Sequence, residues 1–377
     1  MILTAFKFMM FDRPKSIGIL VGIVISIFLI GQQLATLRFL TGLMTALIEN
    51  SNSGPDDIWI IDNITENVNV LSRIDSRVQQ EIKSIEGVLS SHSILVANAS
   101  ITLPNGKTGA VNLVGSDGPT FVAGPHPSKV IEGSLSDLAQ ISAVSLEYFN
   151  AKAFGIPAST GQTFELNKKQ AVSRVLTRNA QGFGGDNMYT SIDNVRYFSD
   201  LPPDKVNAVI VKVKPGTDPR LVIDRINKTF YGVRAWEAEN LKKSTYSEIL
   251  ISSNMGVSFG SLIVFATISG FFIIGLTLYS SALDRLVDYG TLKAIGATNG
   301  YVTRLILTQA FLFAVIGFSI AFALLLVFKA AVSNSSLTLE FDWPLSLLLF
   351  VFTLFMSVGG SLFAVIKISR LEPASIF

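Results

Sequence analysis

The chain has 377 residues, a formal net charge of +2, 15% charged residues and a mean hydropathy of +0.48. That balance belongs to an integral membrane protein, and its few, dispersed basic residues exclude a nucleic-acid-binding stripe. The absence of cysteine excludes disulfides, thiolate metal sites and a cysteine nucleophile.

Met1 to Phe11 carries Ile2, Phe6, Met9 and Met10 at near-helical spacing with Lys7 as its one charge, which suits either a helix along the membrane interface or a frayed extension of the first span. Four uncharged runs follow: Ser16 to Leu37, Ile249 to Leu283, Leu305 to Phe328 and Trp343 to Ile366. Each is long enough to cross a bilayer. The first lacks a small-x-small cleavage site at its end and reads as a retained anchor. The second, at about 35 residues, exceeds what a hydrocarbon core of roughly 30 Å needs, so part of one long helix is expected outside the lipid. Gly256 and Gly260 form a GxxxG pair near its start, suited to general close packing or to a seam with a second copy.

These runs divide the chain into residues 1–48, with the first span, an α+β domain at 49–248, read as two lobes of small open-faced sheets, and residues 249–377 with the other three spans. In the inserted domain, Ile58 to Ile61 reads as a buried strand. Asp75 is expected to cap a helix carrying Val78, Ile82 and Ile85 that Gly87 ends. Ser93 to Leu103 and Thr108 to Val114 form a hairpin about Pro104-Asn105-Gly106-Lys107, and Thr163 to Leu166 pairs with Ala171 to Leu176 about Asn167-Lys168-Lys169. Ala208 to Val213 is a strand, and Asp218 to Phe230 a helix with Leu221, Val222, Ile226 and Phe230 facing inward. Gly106-Lys107-Thr108 is a turn, not a phosphate-binding loop, because Ile101 stands where that motif needs glycine. His92 and His126 lack the partners of a metal or haem site, and Asp56-Asp57 lacks a base or nucleophile, so no catalytic constellation is present. No span interior holds an ionisable residue, which argues against a proton- or sodium-coupled carrier.

Lys7, Arg13, Lys15, Arg285, Lys293, Arg304, Lys367 and Arg370 fall on one side of this layout, which places both termini in the cytoplasm and the inserted domain outside. The inside segment 284–304 then holds a short helix with Leu286, Val287, Leu292 and Ile295, broken by Gly296 and Gly300. By itself it is either a docking knob or a solvated loop.

Asp288-Tyr289-Gly290-Thr291-Leu292-Lys293-Ala294-Ile295-Gly296-Ala297 resembles the acidic-x-Gly-x-x-basic-Ala-aliphatic-Gly-Ala signature of the MacB/FtsX-type ABC transporter permease family. Arg370-Leu371-Glu372-Pro373-Ala374-Ser375-Ile376 is similar to the family's terminal Arg-x-x-Pro element, and Ala153-Phe154-Gly155 with Gly161-Gln162-Thr163 to its Phe-Gly and Gly-x-Thr pair. Val287-Asp288-Tyr289-Gly290 stands where many members have Arg-Glu-Ile-Gly, nearer the DevC-like and haem-exporter-like branches.

The resemblance implies four transmembrane helices in a one-plus-three order with a large extracytoplasmic α+β domain, in the bacterial inner membrane. It implies a non-enzymatic permease without a cofactor of its own, ATP and magnesium being held by a separate cytoplasmic ATPase. Asp288, Tyr289, Gly290, Leu292, Lys293, Ala294, Ile295, Gly296 and Ala297 would dock that ATPase, and movement would reach the outer domain by mechanotransmission along the second helix. A second copy of the chain, membrane lipid, an amphipathic cargo and a periplasmic adaptor leading to an outer-membrane channel are the other implied partners. The alternative within the family is an FtsX-like signalling subunit that controls an extracytoplasmic enzyme.

Overall fold

The computed structural model describes residues 2–11, 13–183, 185–252, 254–333 and 337–369. In chain order the elements are α1 (Ile2–Phe11), α2 (Arg13–Met44), α3 (Ala46–Glu49), β1 (Ile58–Asp62), β2 (Ile74–Asp75), α4 (Val78–Ile82), β3 (Val88–Thr102), β4 (Thr108–Ser116), β5 (Val130–Glu132), β6 (Ala143–Glu147), α5 (Tyr148–Phe154), β7 (Thr163–Leu166), β8 (Lys169–Thr177), β9 (Asp186–Ser191) and α6 (Ile192–Ser199). They continue as β10 (Lys205–Val206), β11 (Ala208–Val213), α7 (Pro219–Thr229), β12 (Val233–Glu237), α8 (Ala238–Ser252), α9 (Met255–Asp284), α10 (Leu286–Ala294), α11 (Asn299–Val332) and α12 (Trp343–Ser369). Contacts divide the chain into a helical unit, Met1–Phe39 with Gly256–Phe377, and an inserted unit, Leu40–Met255.

Among the described residues, α2, α9, α11 and α12 are the four helices long and apolar enough to span a bilayer, one before the inserted unit and three after it. Ile19, Ile23, Ile27 and Ile30 recur on one face of α2 and pack with Ile274, Phe313, Leu325 and Met356. Small residues set the spacing. A Cβ on Gly360 of α12 would lie 2.9 Å from the backbone nitrogen of Gly275 in α9, and one on Gly317 of α11 would lie 2.5 Å from Ile23. Lys15 pairs with Asp284 at one end of α2, and Arg38 with Asp342 towards the other. These two pairs are separated by about 35 Å along α2 at roughly 1.5 Å per residue, close to the thickness of a hydrocarbon core.

The second apolar run departs from expectation. It is not one over-long helix: its first four residues finish α8 of the inserted unit, Asn254 turns left-handed at φ 54°, and α9 begins at Met255. A left-handed residue ends helical hydrogen bonding, and asparagine tolerates that conformation better than most side chains. By contrast α2 is unbroken from Arg13 to Met44.

The inserted unit is built on one ten-stranded sheet instead of separate small sheets, with β2 and β10 forming a second pair. The long strand β3 unites it, pairing antiparallel with β11 at its start, with β4 along most of its length, and with β7 at its end. Trp59, Ile61, Ile94 and Ile210 centre one core, and Leu95, Leu113, Leu146 and Phe198 another on the other side of the same strand. The two expected hairpins are present: Gly106 adopts φ 78°, and Asn167 and Lys168 adopt φ 47° and 65° in the turn that joins β7 to β8. Two local expectations fail. Asp75 does not cap α4 but accepts from the amide of Arg77 at 2.9 Å and pairs with its guanidinium. In α7, Val222 and Ile226 are buried, whereas Leu221 lies one position off the inward stripe and is 54% exposed.

Candidate coupling site

The segment joining α9 to α11 is built from one short helix and two stops. α10 runs Leu286–Ala294, and Gly296 at φ 103° turns the chain out of it, a conformation that penalises any side chain. Thr298 then caps α11, its hydroxyl accepting from the amide of Tyr301. Gly300, expected to break the chain here, lies inside the first turn of α11. The elbow therefore rests on one glycine and one threonine cap.

Helical periodicity splits the expected docking residues into two faces. Asp288, Ala294, Ile295 and Gly296 are exposed, Ile295 at 77%. Val287 and Thr291, which the motif reading left out, share that outer face at helical spacing with Asp288 and Ala294. Tyr289 and Gly290 are buried, and Leu292, Lys293 and Ala297 are half-buried. Tyr289 packs with Ala5, Val302, Leu305, Ile306 and Ile368, so α1, α11 and α12 all hold this helix. Gln309 of α11 lines the same small cavity as Tyr289. Arg285, just ahead of α10, is buried and its guanidinium stands 5.0 Å from the Phe11 ring centre, a cation–π distance. Lys293 Nζ donates to the carbonyl oxygen of Ile368 of α12 at 2.9 Å.

This arrangement makes α10 a rigid rider on the membrane helices with one free face. α1 belongs to it: Ala5 is fully buried in the same cluster. The terminal element Arg370 to Ile376 lies outside the described residues. Gly260, on α9, has no atom of the chain within 4 Å of where its Cβ would be.

In the inserted unit, the end of α2 is tied to α8. Thr45 Oγ1 lies 3.3 Å from Tyr246 Oη, Lys242 pairs with Glu49 at 3.8 Å, and Asn69 Nδ2 donates to the carbonyl of Met44 at 2.7 Å. The amide of Val68 donates to Thr245 Oγ1 at 3.2 Å, so the 67–69 loop joins the same knot. His92 rests between Ser90 and Thr120, 3.9 Å from Asp117, with burial lowering its proton affinity, and His126 caps a single turn at Pro127–Lys129. Glu147 caps α5 by accepting from the amides of Phe149 and Asn150. Burial raises the pKa of Asp186 to about 6, with the Glu147 charge adding to the shift.

Residues 260–373 match the model of the family described as FtsX-like permease C-terminal. The inserted unit is similar to the periplasmic region of MacB from Actinobacillus actinomycetemcomitans, with 12% identity, a TM-score of 0.39, and coverage of 52% of this chain and 94% of that one. It is also similar to the extracellular domain of the noncanonic ABC-type transporter YknZ from Gram-positive bacteria, with 13% identity, a TM-score of 0.34, and coverage of 48% and 99%. A domain of a putative permease protein from Porphyromonas gingivalis gives 12% identity, a TM-score of 0.34, and coverage of 48% and 88%. No curated protein matches the chain. The matched residues take in most of α9 with α10, α11 and α12, so this part of the chain is similar to the C-terminal part of FtsX-like permeases.

Proposed function

We propose that this chain is the permease subunit of an ABC transporter in which a separate cytoplasmic ATPase does the chemistry and α10 receives its movement. The observation that carries this reading is the outer face of α10, where Val287, Asp288, Thr291, Ala294 and Ile295 are exposed while Tyr289 and Lys293 anchor the helix to α11 and α12. Exposed aliphatic side chains beside one carboxylate suit a protein groove better than bulk water. In this reading both termini are cytoplasmic and the inserted unit is extracytoplasmic. A second copy packs along α9, where Leu262, Phe265, Ile268 and Leu276 are exposed and Gly260 is open. ATP and magnesium stay on the partner.

The path of force differs from a single stiff second helix. α8 and α9 are interrupted at Asn254, so the unbroken route from the helical unit into the inserted one is α2. Its end is held by Asn69, and the knot of Thr45, Tyr246, Lys242 and Glu49 follows it directly. The cargo is amphipathic and is extracted on the extracytoplasmic side, with an adaptor expected in a cell with two membranes.

Co-purification with candidate ATPase subunits, followed by a lipid and small-molecule inventory of the complex, tests the assignment. An ATPase retained by the wild-type chain and lost with Ile295→Asp supports it; retention of no ATPase overturns it. A complex that retains the ATPase and a wall hydrolase but no amphiphile would instead place the chain in the signalling branch.

A further inference from the structure

The inserted unit holds a cleft of about 380 Å³ that the coupling reading does not use. Its floor is one face of β3, β4 and β9. Residues along a strand alternate between faces, so residues in register across neighbouring strands share one. Asn98 of β3 stands opposite Asn112 of β4, and Asn112 opposite Asn187 of β9. Three amides thus form a row across three strands, at the roughly 4.8 Å spacing of a sheet. The next row on that face is apolar, Val96 opposite Val114. Phe183 closes one side, its carbonyl accepting from Asn112 Nδ2 at 3.5 Å. The Asn98 side chain has no hydrogen-bond partner among the described residues, and the residue is exposed.

None of the residues lining the cleft is charged. An ionic head group placed there would lose its hydration with no opposite charge to replace it. An amide offers a donor and an acceptor side by side, as a hydroxyl does, so a row of amides suits a row of hydroxyls. The valine row and Phe183 suit the C–H face or the chain attached to such a head. The volume lies at the small end of the range for small-molecule sites. The wall is functional ground as well: Asn69, which lines the cleft, donates to Met44 at the end of α2.

We propose that this cleft binds the uncharged, hydroxyl-bearing head group of an amphiphile, with Asn98, Asn112 and Asn187 as its recognition row. The proposal names the substrate class for the transport reading above and rests on it. Occupancy would act on the loop at 67–69, and through Asn69 on the end of α2.

Binding is measured on the full chain in amphipol, with octyl glucoside below its micelle concentration, octyl phosphate and an uncharged blocked dipeptide as probes. Octyl glucoside is expected to saturate a site and to bind at least tenfold more tightly than octyl phosphate or the dipeptide. Asn98→Leu and Ala110→Trp are both on exposed strand positions, and each is expected to weaken octyl glucoside at least tenfold with an unchanged unfolding midpoint. Equal affinity for the three probes overturns the proposal, as does octyl glucoside binding that survives both substitutions. The partner ATPase is absent from this measurement. Failure of docking at α10 would leave the glucoside binding intact, and failure here would leave ATPase retention intact.

Discussion

Lys293 of α10 donates its ammonium to the backbone carbonyl of Ile368 in α12, 2.9 Å away. A hydrogen bond from a charged donor is shorter and stronger than one between neutral groups. The contact locks α10 to α12, so displacement of one moves the other. Lys293→Met keeps the stem and removes the donor. It is expected to cost about 1 kcal/mol and to raise hydrogen exchange in the last turn of α10, with Lys293→Arg retaining most of the protection. Exchange mass spectrometry on the purified chain checks this.

Tyr289 and Ile295 belong to one motif but should fail in opposite ways. Tyr289 is buried at 2% exposure, and Tyr289→Ala opens a cavity among α1, α11 and α12, with an expected loss of roughly 3 kcal/mol or more. Ile295→Ala, at 77% exposure, should change stability by no more than about 0.5 kcal/mol. It should nevertheless weaken stimulation of the partner ATPase. Unfolding midpoints and ATPase assays on the two variants separate anchoring from docking.

Close helix approach predicts a contrast among glycines. A Cβ at Gly360 would press on the backbone of Gly275 at 2.9 Å and on the carbonyl of Phe271 at 3.1 Å, neither of which can swing aside. Gly360→Ala is expected to destabilise by about 1–3 kcal/mol through overpacking. Gly260→Ala has open space and should leave the single chain's stability unchanged. If α9 forms the seam with a second copy, Gly260→Leu lowers the dimer fraction, which light scattering reads.

Asp186 gives the inserted unit a pH dependence of known sign. Its folded pKa, raised to about 6 by burial first and by Glu147 second, exceeds the ordinary aspartate value of about 3.9. The folded state therefore holds a proton that the unfolded state has released, and stability falls as pH rises from about 4 to about 6. Asp186→Asn should remove that contribution and raise the midpoint at pH 7 by a few °C. Midpoints at pH 5 and pH 7 for the two proteins check it, provided the difference between proteins is compared and not the absolute trend.

Much of this layout was legible because the bilayer imposes long uncharged runs and a turn imposes its own residues. Lys15 and Arg38 bracket the first span, and Pro104 to Lys107 announces the β3–β4 hairpin. The break at Asn254 was not legible from hydropathy, since the apolar run continues without charge on both sides. The signal available was the polar Ser252-Ser253-Asn254 cluster, with asparagine's tolerance of left-handed backbone. In the segment 284–304 the motif marked the residues expected to dock, but reading them as one surface ignored the 3.6-residue period that turns Tyr289 inward and Val287 and Thr291 outward. The Gly275–Gly360 contact and the Asn98–Asn112–Asn187 row join residues far apart in sequence, and no local pattern in the chain marks them.

The chain has no cysteine, so Ile295→Cys introduces a single thiol on the outer face of α10. Cross-linking from that thiol in membranes is the most direct measurement of whether a separate ATPase drives this protein through α10. The account predicts a cross-link to a nucleotide-binding subunit whose yield changes when ATP is added, with no labelling of the thiol by an impermeant maleimide in intact cells. Labelling of that thiol from outside, or a cross-link pattern without any nucleotide-binding subunit, would contradict it.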